Sequence, residues 1–146
     1  MNMIQSAKDQ VLALTTAAYQ KAAAAGLLPE GVTVTPSVEI PKDTANGDYT
    51  TTFCLAAAKA MKMNPRQMAQ ILTEQMDLTD TYFTSVELAG PGFLNFRLGS
   101  RWFGDTVACV EAEGADYGRN DTLAGKKYMV EFVSANPTGP MHMGNA

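Results

Sequence analysis

Residues that build metal centres and disulfide frameworks are scarce in this sequence. Its 146 residues include two cysteines and a single histidine. Cys54 and Cys109 lie far apart with no histidine beside them, whereas a structural metal site needs grouped ligands. We therefore expect no metal site. We interpret both cysteines as buried thiols in a reducing compartment, the cytoplasm, with a disulfide or a reactive thiol as the alternatives.

Long apolar runs and excess positive charge are also lacking. No run approaches the ~20 apolar residues of a membrane-spanning helix, and the first residues lack the basic start and apolar core of a signal peptide. We expect a cytoplasmic protein that does not enter a membrane. The net charge of −4 argues against a dedicated nucleic-acid-binding protein, although it leaves room for a small basic strip.

Hydrophobic periodicity predicts helices and short strands. Apolar residues three or four positions apart predict a helix over about residues 3–25, and they are Ile4, Ala7, Val11, Leu14, Ala18 and Ala22. Alternation from Val32 to Ile40 predicts a half-buried strand, which Pro36 places at an edge or breaks in two. Asp48 or Thr50 is predicted to cap a second helix.

A hairpin and two further helices follow. Asn64 and Pro65 are predicted to begin a helix. The turn-forming residues 89–92 separate two alternating strands, whose apolar residues are Tyr82, Val86 and Leu88, then Leu94, Phe96 and Leu98. Ser100 is predicted to cap a last helix, with Trp102, Phe103, Val107 and Val110 facing inward. This order predicts an α+β fold with helices packed on one face of a small, mainly antiparallel sheet.

A domain boundary is predicted near Asp121. Residues 114–125 are rich in glycine and polar residues and show no apolar periodicity, as is typical of a linker. Residues 1–120 would form the first domain and residues 121–146 the beginning of a second. An apolar strand from Tyr128 to Val133 then leads into a glycine-containing loop, which usually precedes a helix at a phosphate site. Since that helix is missing, we expect a fragment cut at the entrance to a nucleotide-binding domain.

Several residues of this last segment are suited to chemistry. His142 can donate a hydrogen bond to phosphate oxygens, and Gly144 allows the backbone to approach a nucleotide closely. Glu131 lies in an apolar strand, where a carboxylate is costly unless it is paired, and a guanidinium would suit it. Ser134 and Asn136 could add polar contacts. The plainer interpretations are an edge carboxylate, turn-forming polar residues and a histidine without a role.

The same residues carry a resemblance to a known family. Val130-Glu-Phe-Val-Ser-Ala-Asn-Pro-Thr-Gly-Pro-Met-His-Met-Gly-Asn145 resembles the signature-loop region of bacterial arginyl-tRNA synthetases, which are class I aminoacyl-tRNA ligases. Segments in the right order upstream resemble that family's N-terminal extension, and they are Pro41-Lys-Asp, Gly47-Asp-Tyr-Thr, Ala89-Gly-Pro-Gly-Phe-Leu-Asn-Phe-Arg-Leu98 and Tyr117-Gly118. The resemblance covers essentially the whole chain. It implies an additional domain followed by the first strand of a truncated Rossmann-like catalytic domain.

The resemblance implies roles for the residues of the signature loop. His142 matches the first histidine of the family's His-x-Gly-His motif, which contacts ATP phosphates, with Gly144 inside the motif. Asn145 stands where the second histidine usually is, a departure that keeps a hydrogen-bond donor. Glu131 and Asn136 match positions that hold the substrate arginine, with Ser134 nearby.

The resemblance also implies a contact with the tRNA elbow, including the D-loop. Phe93 and Asn95 match the positions implicated in that contact. Alternation along the strand places Arg97 on the same face, opposite Leu94 and Phe96. An aromatic ring, an amide and a guanidinium would form a platform for an unstacked base and a phosphate. The alternative is an ordinary solvent-facing strand with one exposed phenylalanine.

The implied function is arginine–tRNA ligation through an arginyl-adenylate. The implied partners are an arginine-accepting tRNA, L-arginine, and ATP with Mg²⁺ as a substrate complex, and we expect a monomer. The fragment alone is expected to be inactive, to bind no cofactor tightly, and to carry a tail that is disordered or irregularly docked after Asp121. The alternatives are a nucleotidyltransferase with a related His-x-Gly phosphate loop and a non-catalytic binding module.

Overall fold

The structure is a computed structural model that describes residues 2–131 and 139–140. Within these residues the helices and strands are α1 (Met3–Ala24), β1 (Val38–Glu39), β2 (Tyr49–Thr51), α2 (Phe53–Met61), α3 (Pro65–Gln75), β3 (Phe83–Ala89), β4 (Phe93–Leu98) and α4 (Ser100–Glu113). Short 3₁₀ turns lie at Thr44–Asn46 and Gly114–Asp116. The predicted α+β class is confirmed.

The four strands form one antiparallel sheet in the order β1-β2-β4-β3. The predicted hairpin is confirmed as β3 and β4, closed by a bond from the Gly92 amide to the Ala89 carbonyl (3.3 Å). On its other side β4 pairs with β2, so that Thr50 lies opposite Asn95 and Tyr49 opposite Phe96. Because β4 has a neighbour on both sides, it is a central strand.

One face of the sheet packs against α1, α2 and α3 and forms the core. Leu94 and Phe96 of β4 are fully buried there, as their alternation predicts. The Phe83 ring meets Phe96 edge-on at 5.3 Å and Tyr49 at 6.1 Å, which is the favourable geometry for aromatic rings. Each such buried side chain stabilises the fold by about 1.5–3 kcal/mol.

Local capping explains where two of the helices begin. The Asn64 carboxamide oxygen accepts a bond from the Arg66 amide (2.8 Å), and Pro65 is the first helical residue of α3, as predicted. Asn2 caps α1 in the same way by accepting from the Gln5 amide (3.0 Å).

The strand predicted over residues 32–40 forms only at Val38–Glu39. Pro36 cannot donate to a ladder, and the chain before it is held by α1 instead. The Tyr19 hydroxyl accepts from the Val32 amide (3.1 Å) and donates to the Pro29 carbonyl (2.7 Å). The edge position of the strand is confirmed, but its predicted length is wrong.

The prediction that Asp48 or Thr50 caps the second helix is wrong. Tyr49–Thr51 form β2, and the residue before α2 is Thr52. A three-residue strand is too short to show a period of two, and its partner β4 lies more than 40 residues away in sequence. Pairing with that distant strand overrides the local capping signal.

Helix α4 packs differently from the prediction. Its side chains at Phe103 and Val107 are 54% and 59% exposed, Val110 is exposed as well, and none of its residues is buried. The first turn of the helix contacts the rest of the domain: the Trp102 indole N–H donates to the Met3 carbonyl (3.2 Å), and the Arg101 guanidinium lies over the Tyr82 ring (5.7 Å). Gly99, not Ser100, is the capping residue. Periodicity shows which residues share a face but not whether anything covers that face, and Ile4 of α1 is exposed for the same reason.

The described chain after the predicted linker forms no strand. Residues 126–131 are exposed and make no ladder, so the strand predicted from Tyr128 is not formed over the part that the structure describes. A strand needs a neighbour for its backbone groups, and no described segment of the chain pairs with these residues. Residues 132 and 133 lie outside the described residues. None of the described helices is long and apolar enough to cross a membrane.

The two cysteines are not equally buried. Cys54 is fully buried, and burial raises the pKa of its thiol to about 12, so the thiol stays protonated and unreactive at neutral pH. Cys109 is half-buried, and neither residue forms a disulfide. The predicted buried thiol is therefore confirmed at Cys54 and only partly at Cys109.

Candidate nucleic-acid interface

The outward face of β4 carries the three residues predicted to contact nucleic acid. Phe93 is half-buried, Arg97 is exposed, and Asn95 is only 8% exposed. Their common face, opposite Leu94 and Phe96, follows from strand alternation as predicted. The expected open platform is wrong at Asn95, because other parts of the chain cover it.

The loop and the hairpin tip that cover Asn95 line a cavity of about 360 Å³ above the sheet. This volume lies in the range typical of small-ligand sites, about 300–1,000 Å³. Its lining comprises Pro41, Lys42 and Asn46 from one loop, residues 89–91 from the hairpin tip, and Thr50, Phe93 and Asn95 from the sheet. Phe93 and Asn95 are thus brought together, whereas Arg97 is not among the lining residues.

Arg97 instead anchors the loop that forms one wall of the cavity. Its guanidinium donates to the Ala45 carbonyl (2.6 Å). Asp48 binds the same strand twice: its amide donates to the Phe96 carbonyl (2.8 Å) and its carboxylate accepts from the Leu98 amide (2.8 Å). These bonds hold residues 45–48 against β4.

Gly47 makes this close approach possible. Its φ is +92°, and a Cβ there would lie 2.7 Å from the Phe96 carbonyl oxygen. Both the backbone conformation and the space exclude a side chain. The wall therefore requires glycine at this position.

The hairpin tip forms the opposite wall and is fixed to the start of α3. The Arg66 guanidinium donates to the Gly90 carbonyl (2.7 Å). Gly92 has φ +143°, and a Cβ there would lie 2.9 Å from Pro65. Both walls are thus held by specific bonds and close backbone packing.

The floor of the cavity contains polar groups without protein partners. The Asn95 carboxamide makes no hydrogen bond within the described part of the chain, and the buried Thr50 hydroxyl has none either. Lys42 adds a cation at the rim. An aromatic ring, an unpaired amide and a cation are the groups that bind an unstacked base and its phosphate.

Three of the lining residues were missed by the sequence predictions. Lys42 was noticed only within the motif Pro41-Lys-Asp, and Asn46 carried no signal of its own. Thr50 is predicted only as one of two candidates for a helix cap. No local pattern marks residues that come together only when β2 pairs with β4.

Of the residues predicted to bind arginine and ATP, Glu131 alone lies within the described part of the chain. Glu131 is exposed rather than buried in a strand. Ser134, Asn136, His142, Gly144 and Asn145 lie outside the described residues.

Comparison with known proteins identifies the family. The sequence model of the family described as "Arginyl tRNA synthetase N terminal domain" matches residues 10–98, which include most of the core and every described strand of the sheet. The chain belongs to this family.

Curated relatives match almost from end to end. The chain is 43% identical over 145 residues to an arginine–tRNA ligase of Acetivibrio thermocellus, a match that covers 99% of the chain. It is 37% identical over 146 residues to an arginine–tRNA ligase of Staphylococcus carnosus, which covers the whole chain. In both cases the match covers 26% of the relative, so the chain spans about a quarter of the length of these relatives.

A solved structure shares the fold. The arginyl-tRNA synthetase of Plasmodium falciparum superposes with a TM-score of 0.54 at 11% identity, over 68% of this chain and 17% of that one. At this identity the likeness concerns the fold alone.

A side chain at Gly92 is expected to destabilise the hairpin. We predict that Gly92→Ala lowers the free energy of unfolding by about 2–4 kcal/mol, because strain at φ +143° adds to the clash with Pro65. Urea unfolding measures the loss. Gly26→Ala is the control, since its φ is +72° at the end of α1 and nothing lies within 4 Å of the added Cβ, so it is expected to lose only about 1–2 kcal/mol. Equal losses in the two variants would contradict close packing of the tip on α3.

Proposed function

We propose that this chain is the N-terminal part of an arginine–tRNA ligase. Residues 1–120 would form an additional domain that contacts the tRNA elbow, and residues 121–146 would begin the catalytic domain with the first strand of a Rossmann-like fold. The observation that carries the proposal is the match with arginine–tRNA ligases over 99–100% of the chain. The whole protein would act in the cytoplasm as a monomer.

The cavity on β4 supports a contact with tRNA. Stacking of a base on an aromatic ring such as Phe93 contributes about 1–3 kcal/mol. The Asn95 carboxamide has both donors and an acceptor for a base edge, and Lys42 at the rim suits the adjoining phosphate. A local site of this kind is compatible with a net charge of −4, because only the rim needs to be positive.

The catalytic residues are assigned by their positions in the signature loop. Glu131 would pair with the arginine guanidinium, assisted by Ser134 and Asn136, because a carboxylate matches the planar fork of that group. His142 would donate a hydrogen bond to phosphate oxygens as charge builds on them.

The two remaining loop residues would complete the contact with ATP. Gly144 would allow the backbone to approach the nucleotide, and Asn145 would donate where a histidine is usual. ATP and Mg²⁺ would enter together as a substrate complex. The arginine carboxylate would attack the α-phosphate of ATP to form an adenylate with release of pyrophosphate. A ribose hydroxyl at the tRNA end would then take the arginyl group, with release of AMP.

A charging assay tests the proposed identity. The uninterrupted gene is expressed, and the product is incubated with bulk tRNA, ATP, Mg²⁺ and labelled arginine, beside parallel reactions with other amino acids. Charging with arginine alone is expected. Charging with another amino acid would overturn the specificity. No charging would favour a nucleotidyltransferase or a non-catalytic binding module.

Loss of the Phe93 ring is expected to weaken tRNA binding. We predict that Phe93→Ala in the full-length protein raises the Kd for arginine-accepting tRNA by about tenfold, because a stacking surface is removed. Binding at fixed salt measures the change. Phe103→Ala is the matched control, since Phe103 is an exposed phenylalanine on α4 away from the cavity. Equal effects of the two substitutions would refute a specific contact.

Loss of the His142 imidazole is expected to slow catalysis. We predict that His142→Ala lowers kcat for arginine transfer by about 10²–10³, the usual cost of removing a group that stabilises developing charge. The thermal unfolding midpoint is expected to stay unchanged and serves as the control for folding. Unchanged kinetics would remove His142 from the site.

Neutralising Glu131 is expected to weaken arginine binding. We predict that Glu131→Gln raises the KM for arginine by about 10–100-fold, as expected for loss of a charge-assisted bond of about 1.5–3 kcal/mol. The KM for ATP is expected to change little. Glu111→Gln, at an exposed position on α4, is the control. An unchanged arginine KM would assign Glu131 a structural role.

A further inference from the structure

Thr50 is the one residue on the cavity floor whose polar atom is both buried and unpaired among the described residues. Its hydroxyl oxygen is shielded from solvent and has no hydrogen-bond partner. Other buried threonines of the domain are paired: Thr15 donates to the Val11 carbonyl (2.7 Å) and Thr51 to the Ser37 carbonyl (3.0 Å). A buried hydroxyl without a partner destabilises a fold, so its presence at Thr50 requires an explanation.

The residue opposite Thr50 in the sheet offers an explanation for the unpaired hydroxyl. Asn95 is the register partner of Thr50, and directly opposed residues of an antiparallel pair have Cβ atoms about 4.5–5.5 Å apart. The Asn95 carboxamide is itself unpaired within the described chain and nine-tenths buried. Two unpaired polar groups thus face each other on the floor of the cavity.

The chemistry of the two groups is complementary. A hydroxyl both donates and accepts, whereas a carboxamide has a donating end and an accepting end. A bond from Thr50 to one end of the carboxamide would leave the other end directed at a ligand. The hydroxyl itself is closed to solvent, so any effect on a ligand would pass through Asn95.

We propose that Thr50 is a positioning residue that fixes the orientation of the Asn95 carboxamide when a tRNA base stacks on Phe93. This inference rests on the proposed tRNA contact and deepens it. The hydroxyl decides which end of the amide meets the base edge, and so which bases the cavity accepts. A bond from the hydroxyl to one end of the carboxamide holds the other end toward the base edge.

Removal of the Thr50 hydroxyl is expected to weaken tRNA binding without lowering the stability of the fold. Thr50→Val keeps the shape of the side chain and removes the hydroxyl, whereas Thr50→Ser keeps the hydroxyl. In the full-length protein, Thr50→Val is expected to raise the Kd for arginine-accepting tRNA by about three- to tenfold, while Thr50→Ser stays within about twofold of the wild type. The thermal midpoint of Thr50→Val is expected to equal or exceed that of the wild type, because an unpaired buried hydroxyl is lost.

Substituted tRNAs test the positioning role itself. Single base changes in the D-loop are expected to weaken binding to the wild-type protein more than binding to Thr50→Val, because the amide is no longer held in one orientation. Retained discrimination in Thr50→Val would overturn the proposal. An unchanged Kd, or equal weakening by Val and Ser, would also overturn it, and a lowered thermal midpoint would show that the hydroxyl has a partner in the fold.

Phe93→Ala separates failure of this inference from failure of the proposed function. If Phe93→Ala weakens tRNA binding and Thr50→Val does not, the cavity contacts tRNA and Thr50 has no part in it. If neither substitution changes the Kd, the tRNA contact itself is refuted, and the positioning role falls with it.

Discussion

The central position of β4 is the constraint on which the rest of the domain depends. Antiparallel pairing on both sides makes β4 the only route by which β2 and β3 are joined within the described sheet. Alternation along the strand then divides its side chains between two environments. Leu94 and Phe96 complete the core against the helices, while Phe93 and Asn95 form the floor of the cavity. The same six residues therefore stabilise the fold and present the candidate site.

Hydrogen bonds to main-chain atoms hold the walls of the cavity in place. The Asp48 amide and carboxylate and the Arg97 guanidinium hold one loop to β4, and Arg66 holds the hairpin tip. Contacts within the protein thus fix both walls, and a site that is ordered by its own fold loses less conformational entropy on binding.

The parts of the fold that sequence reasoning predicted are those specified locally. The Asn64–Pro65 helix start, the turn at residues 89–92 and the apolar stripe of α1 each depend on residues a few positions apart. The parts it missed depend on distant pairing or on what covers a surface. Strand β2 exists because β4 lies beside it, and the exposure of Phe103 reflects the absence of a covering element among the described residues.

The candidate site divides in the same way. Phe93 and Asn95 were placed on the correct face because alternation follows from the sequence. The burial of Asn95 and the contribution of Thr50 to the site could not be predicted from local patterns. The loop and the strand that lie beside Asn95 are both more than 40 residues away from it in sequence. Thr50 joins the site only because its strand pairs with that of Asn95. The anchoring role of Arg97 was missed for the same reason, since a guanidinium directed at a loop carbonyl resembles a free surface cation in sequence.

Gly47 and Asp48 allow the rim of the cavity to change in sequence independently of the core. Because main-chain geometry and these two residues fix the path of the loop, the side chains at Lys42 and Asn46 can vary without moving β4. Homologous domains can thus exchange rim chemistry while they keep the same scaffold.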